Sequence, residues 1–165
     1  MSSYNITVIQ GDGIGPEVTS AAVRVLEEVG AKFGHKFNFE YSVCGGAAYD
    51  RYGEPLPAES LEKCLKSDSV ILGAVGGPQY DSLPYEKRPE RALLGVRKAM
   101  GLYANLRPAK LFDALADVCP LKNPKNIDML VVRELIGGIY FGEKGVREGK
   151  YGREGYDVMC YGELE

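Results

Sequence analysis

Short apolar runs separated by amphipathic segments dominate the first hundred residues. The run NITVIQ, residues 5–10, is rich in β-branched side chains and predicts a buried strand. KFNFEYSV, residues 36–43, carries large apolar side chains at every second position, which is the period of a strand with one buried face. DSVILGAV, residues 68–75, predicts a third buried strand.

Helical segments separate these strands. Pro16 suits the first turn of a helix, and Gly30 predicts the end of that helix. LPAESLEKCLKS, residues 56–67, predicts a second, shorter helix. The resulting order β-α-β-α-β favours an α/β fold with a parallel sheet.

The pattern changes after the third strand. A polar, turn-rich segment, residues 76–90, follows the carboxyl end of that strand. In open α/β sheets this edge is where ligands bind. Pro89 begins a predicted helix that runs to about Met100.

Two extended segments come next, LYANLRPAKLF at residues 102–112 and NIDMLVVREL at residues 126–135. From Gly137 onward the chain is rich in glycine and tyrosine, which predicts a β-hairpin. Because two strands alone are marginally stable in water, we expect this hairpin to pair with something else.

The glycine-rich stretch GDGIGPEV, residues 11–18, resembles a dinucleotide-binding loop at first sight. That fingerprint requires G-x-G-x-x-G after a strand and an acidic residue about 20 positions later. Here the third glycine comes one position early, and Glu40 lies somewhat too far along the chain. A tight strand-to-helix turn of an α/β protein is the favoured interpretation, with the Rossmann loop as the alternative.

Composition and charge exclude several classes of function. The chain has 165 residues, 45% of them hydrophobic, which is enough for an ordinary globular core. A net charge of −3 argues against a nucleic-acid or anionic-membrane partner. No signal peptide or apolar run of about 18 residues is recognisable, so a cytoplasmic location is expected.

Cysteine and histidine usage narrows the chemistry further. The four cysteines, Cys44, Cys64, Cys119 and Cys160, form no C-x-x-C pair and are expected to be buried thiols. The single histidine, His35, makes neither a metal site nor a triad. Zinc hydrolysis and Ser-His chemistry are therefore poor candidates.

One face of the Pro89 helix carries an unusual mixture of side chains. Glu90, Leu93, Leu94 and Arg97 share that face by their spacing. In one interpretation the leucines face the core and the charges lie at the rim. In the other, the leucines form an apolar wall of a ligand site, framed by an acid and a guanidinium.

Two further arginines favour the ligand site. Arg107 follows YANL and Arg133 follows LVV, and an arginine next to a buried strand is uncommon unless its charge is paired. The guanidinium fork suits bidentate binding of carboxylates. Together with Arg97 these residues could hold a small dicarboxylate, although each alone is more often a salt bridge. Tyr140, in GGIYFG, would add a phenol to the same neighbourhood.

The quoted motifs as a set resemble a known family. ITVIQGDGIGPEV, ILGAVGGP, ALLGVRKAMGLYANLRPAK, CPLKN and LVVRELIGGIYFGE are similar, in this order, to the β-decarboxylating dehydrogenases. The resemblance implies an isocitrate/isopropylmalate dehydrogenase-like fold. It also implies that the opening glycines shape the cleft without forming a Rossmann loop.

The resemblance further implies an activity and the residues that perform it. The activity is NAD-dependent oxidation of the C2 hydroxyl of 3-isopropylmalate in leucine biosynthesis, with loss of the C3 carboxylate assisted by Mg²⁺ or Mn²⁺. Arg97, Arg107 and Arg133 would bind the substrate carboxylates. Leu93 and Leu94 would face its isopropyl group, and Tyr140 would assist proton transfer. The cofactor site would include Gly76, Gly77, Pro78, Pro89 and Glu90.

The chain is about half as long as members of this family. It is therefore interpreted as the N-terminal half: residues 1–101 as the first half of a large cofactor-binding domain, and residues 102–165 as the start of a second α/β domain with a hairpin arm. The catalytic lysine, the metal ligands and part of the NAD site would lie beyond it, so the chain alone is expected to be inactive. The complete protein would be a homodimer.

Two alternatives stay open. The chain could be a non-catalytic subunit or assembly module of the same family. It could also belong to an isocitrate, homoisocitrate or tartrate dehydrogenase.

Overall fold

The strand β1, Ser2–Gly11, forms the middle of a parallel three-stranded sheet. The strands β2, His35–Ser42, and β3, Ser69–Ala74, pair with it on either side in the order β2-β1-β3. In this computed structural model residues 2–122, 126–135 and 142–158 are described. The parallel sheet predicted from the hydrophobic pattern is confirmed, and two helices, where one was predicted, lie between β2 and β3.

Four helices accompany the sheet: α1 Gly15–Phe33, α2 Gly46–Tyr52, α3 Ala58–Lys66 and α4 Glu90–Ala99. Side chains of β1 alternate between the two faces of the sheet. Ile6 and Val8 pack with Val23 of α1, whereas Ile9 packs on the other face with residues of α3 and α4. The core therefore lies in two layers, one on each side of β1.

The first helix does not end at Gly30, so that prediction was wrong. The helix α1 continues to Phe33 and ends at Gly34, which has φ +73° and whose N–H bonds to the carbonyl oxygen of Gly30. A Cβ on Gly30 would lie 3.2 Å from Cδ2 of Phe37. The absent side chain at position 30 therefore allows close packing against β2 and does not stop the helix.

The second compact unit of the chain, Gly101–Glu165, contains two antiparallel strand pairs. The strand β4, Ala104–Lys110, pairs with β5, Asp128–Glu134. The strands β6, Lys144–Gly149, and β7, Gly152–Asp157, form the predicted hairpin around a two-residue turn. The first unit is Met1–Met100, and the assignment of the two units to a cofactor-binding and a second domain stays a prediction.

Three short 3₁₀ helices lie in the connecting segments, at Pro78–Tyr80, Tyr85–Lys87 and Asp113–Val118. Within the described ranges, no helix is long and apolar enough to cross a membrane. Cys44 and Cys64 are buried free thiols, as expected, and Cys119 is a half-buried free thiol. Cys160 lies outside the described residues.

Candidate active site

A buried carboxylate connects the loops at the carboxyl edge of the parallel sheet. Asp12, directly after β1, is only 6% exposed. Its Oδ2 accepts the N–H groups of Gly46 at 2.8 Å and Gly76 at 2.7 Å, and its Oδ1 accepts the N–H of Ala47 at 2.6 Å. Hydrogen bonds to an ionised acceptor are stronger than neutral ones. One side chain therefore joins the loops that follow all three strands.

The helix α2 supports the segment that was predicted to bind a cofactor. The Tyr80 hydroxyl donates to Oδ2 of Asp50 at 2.7 Å, and this hydrogen bond is the main cause of a raised pKa at Tyr80. A Cβ on Gly46 would overlap the Tyr80 ring. Lys87 Nζ lies 5.9 Å from the centre of the Tyr49 ring. The seven residues of α2 thus contact this loop segment at several points.

Internal contacts also shape this segment. Arg88 donates from Nε to the Leu83 carbonyl at 3.2 Å and from Nη2 to the Asp81 carbonyl at 3.0 Å. Pro89 is fully buried at the start of α4. The loop between β3 and α4 is therefore held by specific contacts along most of its length.

The start of α4 lies beside the glycine turn that follows β3. Gly76 has φ +100°, and a Cβ at this position would lie 2.7 Å from Oε1 of Glu90. Only glycine combines this backbone angle with room for the Glu90 carboxylate. The structure brings together Gly76 and Glu90, which the sequence had assigned to one cofactor site.

The remaining faces of α4 decide where its leucines point. Ala92 and Val96, four positions apart, belong to the core cluster, and Gly95 lies against Leu56. Leu93 and Leu94 are half-buried. With about 100° between successive residues, Glu90, Leu94 and Arg97 occupy an arc turned away from the Ala92–Val96 direction, with Leu93 at its margin.

The two arginines of the second unit share one face of the β4–β5 ribbon. Arg107 lies opposite Val131, and Arg133 lies opposite Asn105. In an antiparallel pair these are diagonal neighbours on one face, with Cβ atoms about 7–8 Å apart. Arg133 is half-buried and Arg107 is exposed. Two guanidiniums and the amide of Asn105 therefore present hydrogen-bond donors on the same surface.

Sequence reasoning missed Asp12, the Asp50–Tyr80 pair and Asn105. An aspartate placed between glycines at the end of a buried strand is the signal that could have indicated Asp12. Asn105 precedes Arg107 by two positions, so strand periodicity places it on the same face. The predicted catalytic Tyr140 lies outside the described residues. Within the described part of the chain, no group of three His, Cys, Asp or Glu side chains could hold a metal ion.

The parallel sheet, with helices on both faces and a candidate site in the loops at its carboxyl edge, is that of an α/β protein. Comparison with known families specifies which α/β family it is. The profile of the isocitrate/isopropylmalate dehydrogenase family matches residues 5–165, and the chain belongs to this family.

Three similar proteins are 3-isopropylmalate dehydrogenases. The relative from Clostridium acetobutylicum is 59% identical over 148 residues, covering 88% of this chain and 42% of the relative. That from Clostridium pasteurianum is 52% identical, with coverages of 98% and 46%. That from Aquifex aeolicus is 49% identical, with coverages of 100% and 46%. The chain thus spans less than half the length of these relatives.

Solved structures show the same fold. A β-decarboxylating dehydrogenase from Thermococcus kodakarensis in its apo form is 34% identical, with a TM-score of 0.62 and coverages of 95% of this chain and 41% of the other. Isocitrate dehydrogenase from Methylococcus capsulatus is 29% identical, with a TM-score of 0.73 and coverages of 95% and 43%. The predicted incomplete fold of this family is confirmed.

Proposed function

We propose that the chain is part of an NAD-dependent oxidative decarboxylase of 3-isopropylmalate. The observation that carries the proposal is the geometry of α4. Its core contacts are made by Ala92 and Val96, so its leucines are not needed for the sheet-facing side. The sequence identity of 49–59% to 3-isopropylmalate dehydrogenases supports the proposal that this protein acts on the same substrate.

In this proposal the arginines bind the two substrate carboxylates. Arg107 and Arg133 act from one face of the β4–β5 ribbon, and Arg97 acts from α4. Bidentate hydrogen bonds would orient the substrate, and orientation supplies much of the advantage of an enzyme over solution. That all three arginines serve one substrate is part of this proposal.

Leu93 and Leu94 give the proposed substrate specificity. Two branched apolar side chains suit the isopropyl group, whereas a third carboxylate, as in isocitrate, would require a polar partner on this helix. Neither leucine can supply a hydrogen bond to such a carboxylate. An apolar substituent is therefore the better fit.

The residues at the carboxyl edge of the sheet fit a nicotinamide cofactor. We assign Gly76, Gly77, Pro78, Pro89 and Glu90 to its site, on the turn that Gly76 forms beside the Glu90 carboxylate. When bound, NAD would accept the hydride from C2 of the substrate. The role of this chain would be to hold Glu90 and the loop between β3 and α4 in position beside the nicotinamide ring.

The divalent metal implied by the family does not fit the described residues, which contain no ligand set for it. We propose that its ligands come from the portion of the family's length that this chain does not span. Tyr140 is proposed to assist proton transfer. We expect the 165-residue chain to be inactive alone and the complete protein to be a homodimer.

The test compares the chain with a completed chain, defined as these 165 residues joined to the remaining sequence of the Clostridium pasteurianum relative. We expect no turnover by the chain and NAD-dependent turnover of 3-isopropylmalate by the completed chain. In the latter, Leu94→Ala should lower kcat/KM at least about ten-fold, since lost apolar contacts in a pocket cost that much. Leu65→Ala, at an exposed leucine of α3, is the control.

Two results would contradict the proposal. Preference of the completed chain for isocitrate or tartrate would reject the substrate. Turnover by the 165 residues alone would reject the expected inactivity.

A further inference from the structure

We infer that Asp12 is the positioning residue of the candidate cofactor loop, because its buried carboxylate is the shared acceptor that fixes the Gly76 turn beside Glu90. The inference deepens the proposed function and rests on it for the identity of the cofactor. The hydrogen-bonding role of Asp12 itself is independent of which ligand the loop binds.

The contacts of Asp12 reach loops that are far apart in sequence. Gly46 and Ala47 begin α2, 34 and 35 positions away, and Gly76 is 64 positions away. The backbone N–H of Asp12 donates to the Ala74 carbonyl at 2.7 Å, so the residue is itself attached to the end of β3. Both carboxylate oxygens and the main chain of one residue therefore hold the edge of the sheet together.

Glycines make room for this carboxylate. Gly45 has φ +82°, and a Cβ there would lie 2.7 Å from Oδ2 of Asp12. Gly76, with φ +100°, has a wide range of backbone conformations available in the absence of a constraint. Its N–H bond to Asp12 selects the one in which Glu90 lies beside the turn.

The occupied amides also restrict how a dinucleotide can bind at this edge of the sheet. In such loops, backbone N–H groups bind the phosphates of the ligand. Here the N–H groups of Gly46, Ala47 and Gly76 are already bonded to a negative side chain. A bound dinucleotide must therefore find donors for its phosphates elsewhere, and this edge is left for the nicotinamide ring, which carries no phosphate.

The test measures amide hydrogen exchange by NMR in the chain and in the completed chain. Asp12→Asn keeps the size of the side chain and removes its charge, and Asp12→Ala removes the acceptor. Asp68→Asn is the matched control, because Asp68 Oδ2 accepts the N–H of Asn5 at 2.7 Å at the opposite edge of the sheet. We expect exchange at Gly76 to accelerate at least about ten-fold in both Asp12 variants and to stay unchanged in the control.

Two further measurements separate positioning from a general loss of structure. Sodium formate should restore the protection of Gly76 in Asp12→Ala, whereas the same concentration of sodium chloride should not. In the completed chain, NADH should bind at least about ten-fold more weakly to Asp12→Asn than to the Asp68→Asn control, as loss of preorganisation predicts.

Each other result bears on one of the two proposals. Unchanged Gly76 exchange in both Asp12 variants would overturn the inference, and so would global unfolding of both variants. If the completed chain binds no NADH at all while Gly76 responds as expected, the proposed function fails and the role of Asp12 in fixing the turn stands. Equal NADH affinity in Asp12→Asn and in the Asp68→Asn control would overturn positioning of the cofactor.

Discussion

The two units of the chain bury their apolar residues to very different extents. In Met1–Met100 the central strand is covered on both faces, and Val8 and Ile9 are fully buried. In Gly101–Glu165 the β4–β5 ribbon exposes Leu106 and Val132 on one face and Val131 on the other. Among the described hydrophobic residues of this second unit, Leu135 alone is buried.

The difference shows what helices contribute when they cover both faces of a sheet. Helices on either side of β1 remove its β-branched side chains from water, which is the dominant favourable term in folding. A two-stranded ribbon cannot cover its own faces and is marginal in isolation. The same strand-forming residues therefore give a core in one unit and exposed surfaces in the other.

The largest expected effect comes from truncating a buried side chain of β1. Ile9→Ala should lower the free energy of unfolding of the first unit by about 2–5 kcal/mol, because it leaves a cavity among fully buried side chains. Val132→Ala, at a position that is 61% exposed, should change stability by no more than about 0.5 kcal/mol. Urea unfolding, followed by amide hydrogen exchange in each unit, measures the change in the free energy of unfolding for both variants. Equal losses would contradict the contrast between the units.

A pair of glycines gives the next largest effect. Gly46→Ala would place a Cβ inside the Tyr80 ring, so we expect a loss of about 1–3 kcal/mol and a displaced Tyr80. Gly155→Ala in the hairpin meets nothing within 4 Å and should be neutral or slightly stabilising. Thermal unfolding and the Tyr80 NMR signals give the measurement. A neutral Gly46→Ala would show that α2 packs loosely against Tyr80.

The buried thiol of Cys44 predicts a loss of stability at high pH. Burial, with smaller contributions from Cys64 and Asp12, raises its pKa from 9.0 to about 12. The unfolded thiol ionises first, so the stability that Cys44 contributes is complete below about pH 9 and declines as the pH rises toward 12. The loss is at most about 1.4 kcal/mol per pH unit. Urea unfolding between pH 8 and 11 should show this slope in the wild type and in Cys119→Ala, and a shallower slope in Cys44→Ala, in which the raised pKa values of Cys64 and Tyr80 remain.

The smallest effect is expected at an exposed ion pair. Lys66 Nζ lies 2.6 Å from Glu62 Oε1, and this hydrogen bond lowers the pKa of Glu62. The stabilisation from the Glu62–Lys66 pair is complete above the ordinary pKa of a glutamate. It is lost as the pH falls through the lowered pKa of Glu62 in the folded protein. An NMR titration should find the shift in the wild type and not in Lys66→Met. Persistence of the shift in high salt would show that the pair is more strongly coupled than its exposure implies.

The local sequence pattern predicted the three parallel strands, the helix α4 and the hairpin, because each depends on side chains close in sequence. It failed at α2, whose seven residues are too few for a pattern, and at Gly30, whose small size serves packing against Phe37. At the candidate site, Gly76 and Glu90 were assigned through the family resemblance. The local pattern missed Asp12, because nothing local indicates that an aspartate at position 12 binds amides at positions 46, 47 and 76.

The sequence by itself determined the family, the parallel direction of the first three strands and the residue types suited to a dicarboxylate. The tertiary structure decided which side of α4 faces the core, which faces of β4 and β5 carry the arginines, and that the loops of the sheet edge share one buried carboxylate. A local sequence pattern depends only on residues that are close together in the chain. Contacts between distant segments depend on strand order and register, which are fixed only when the strands pair.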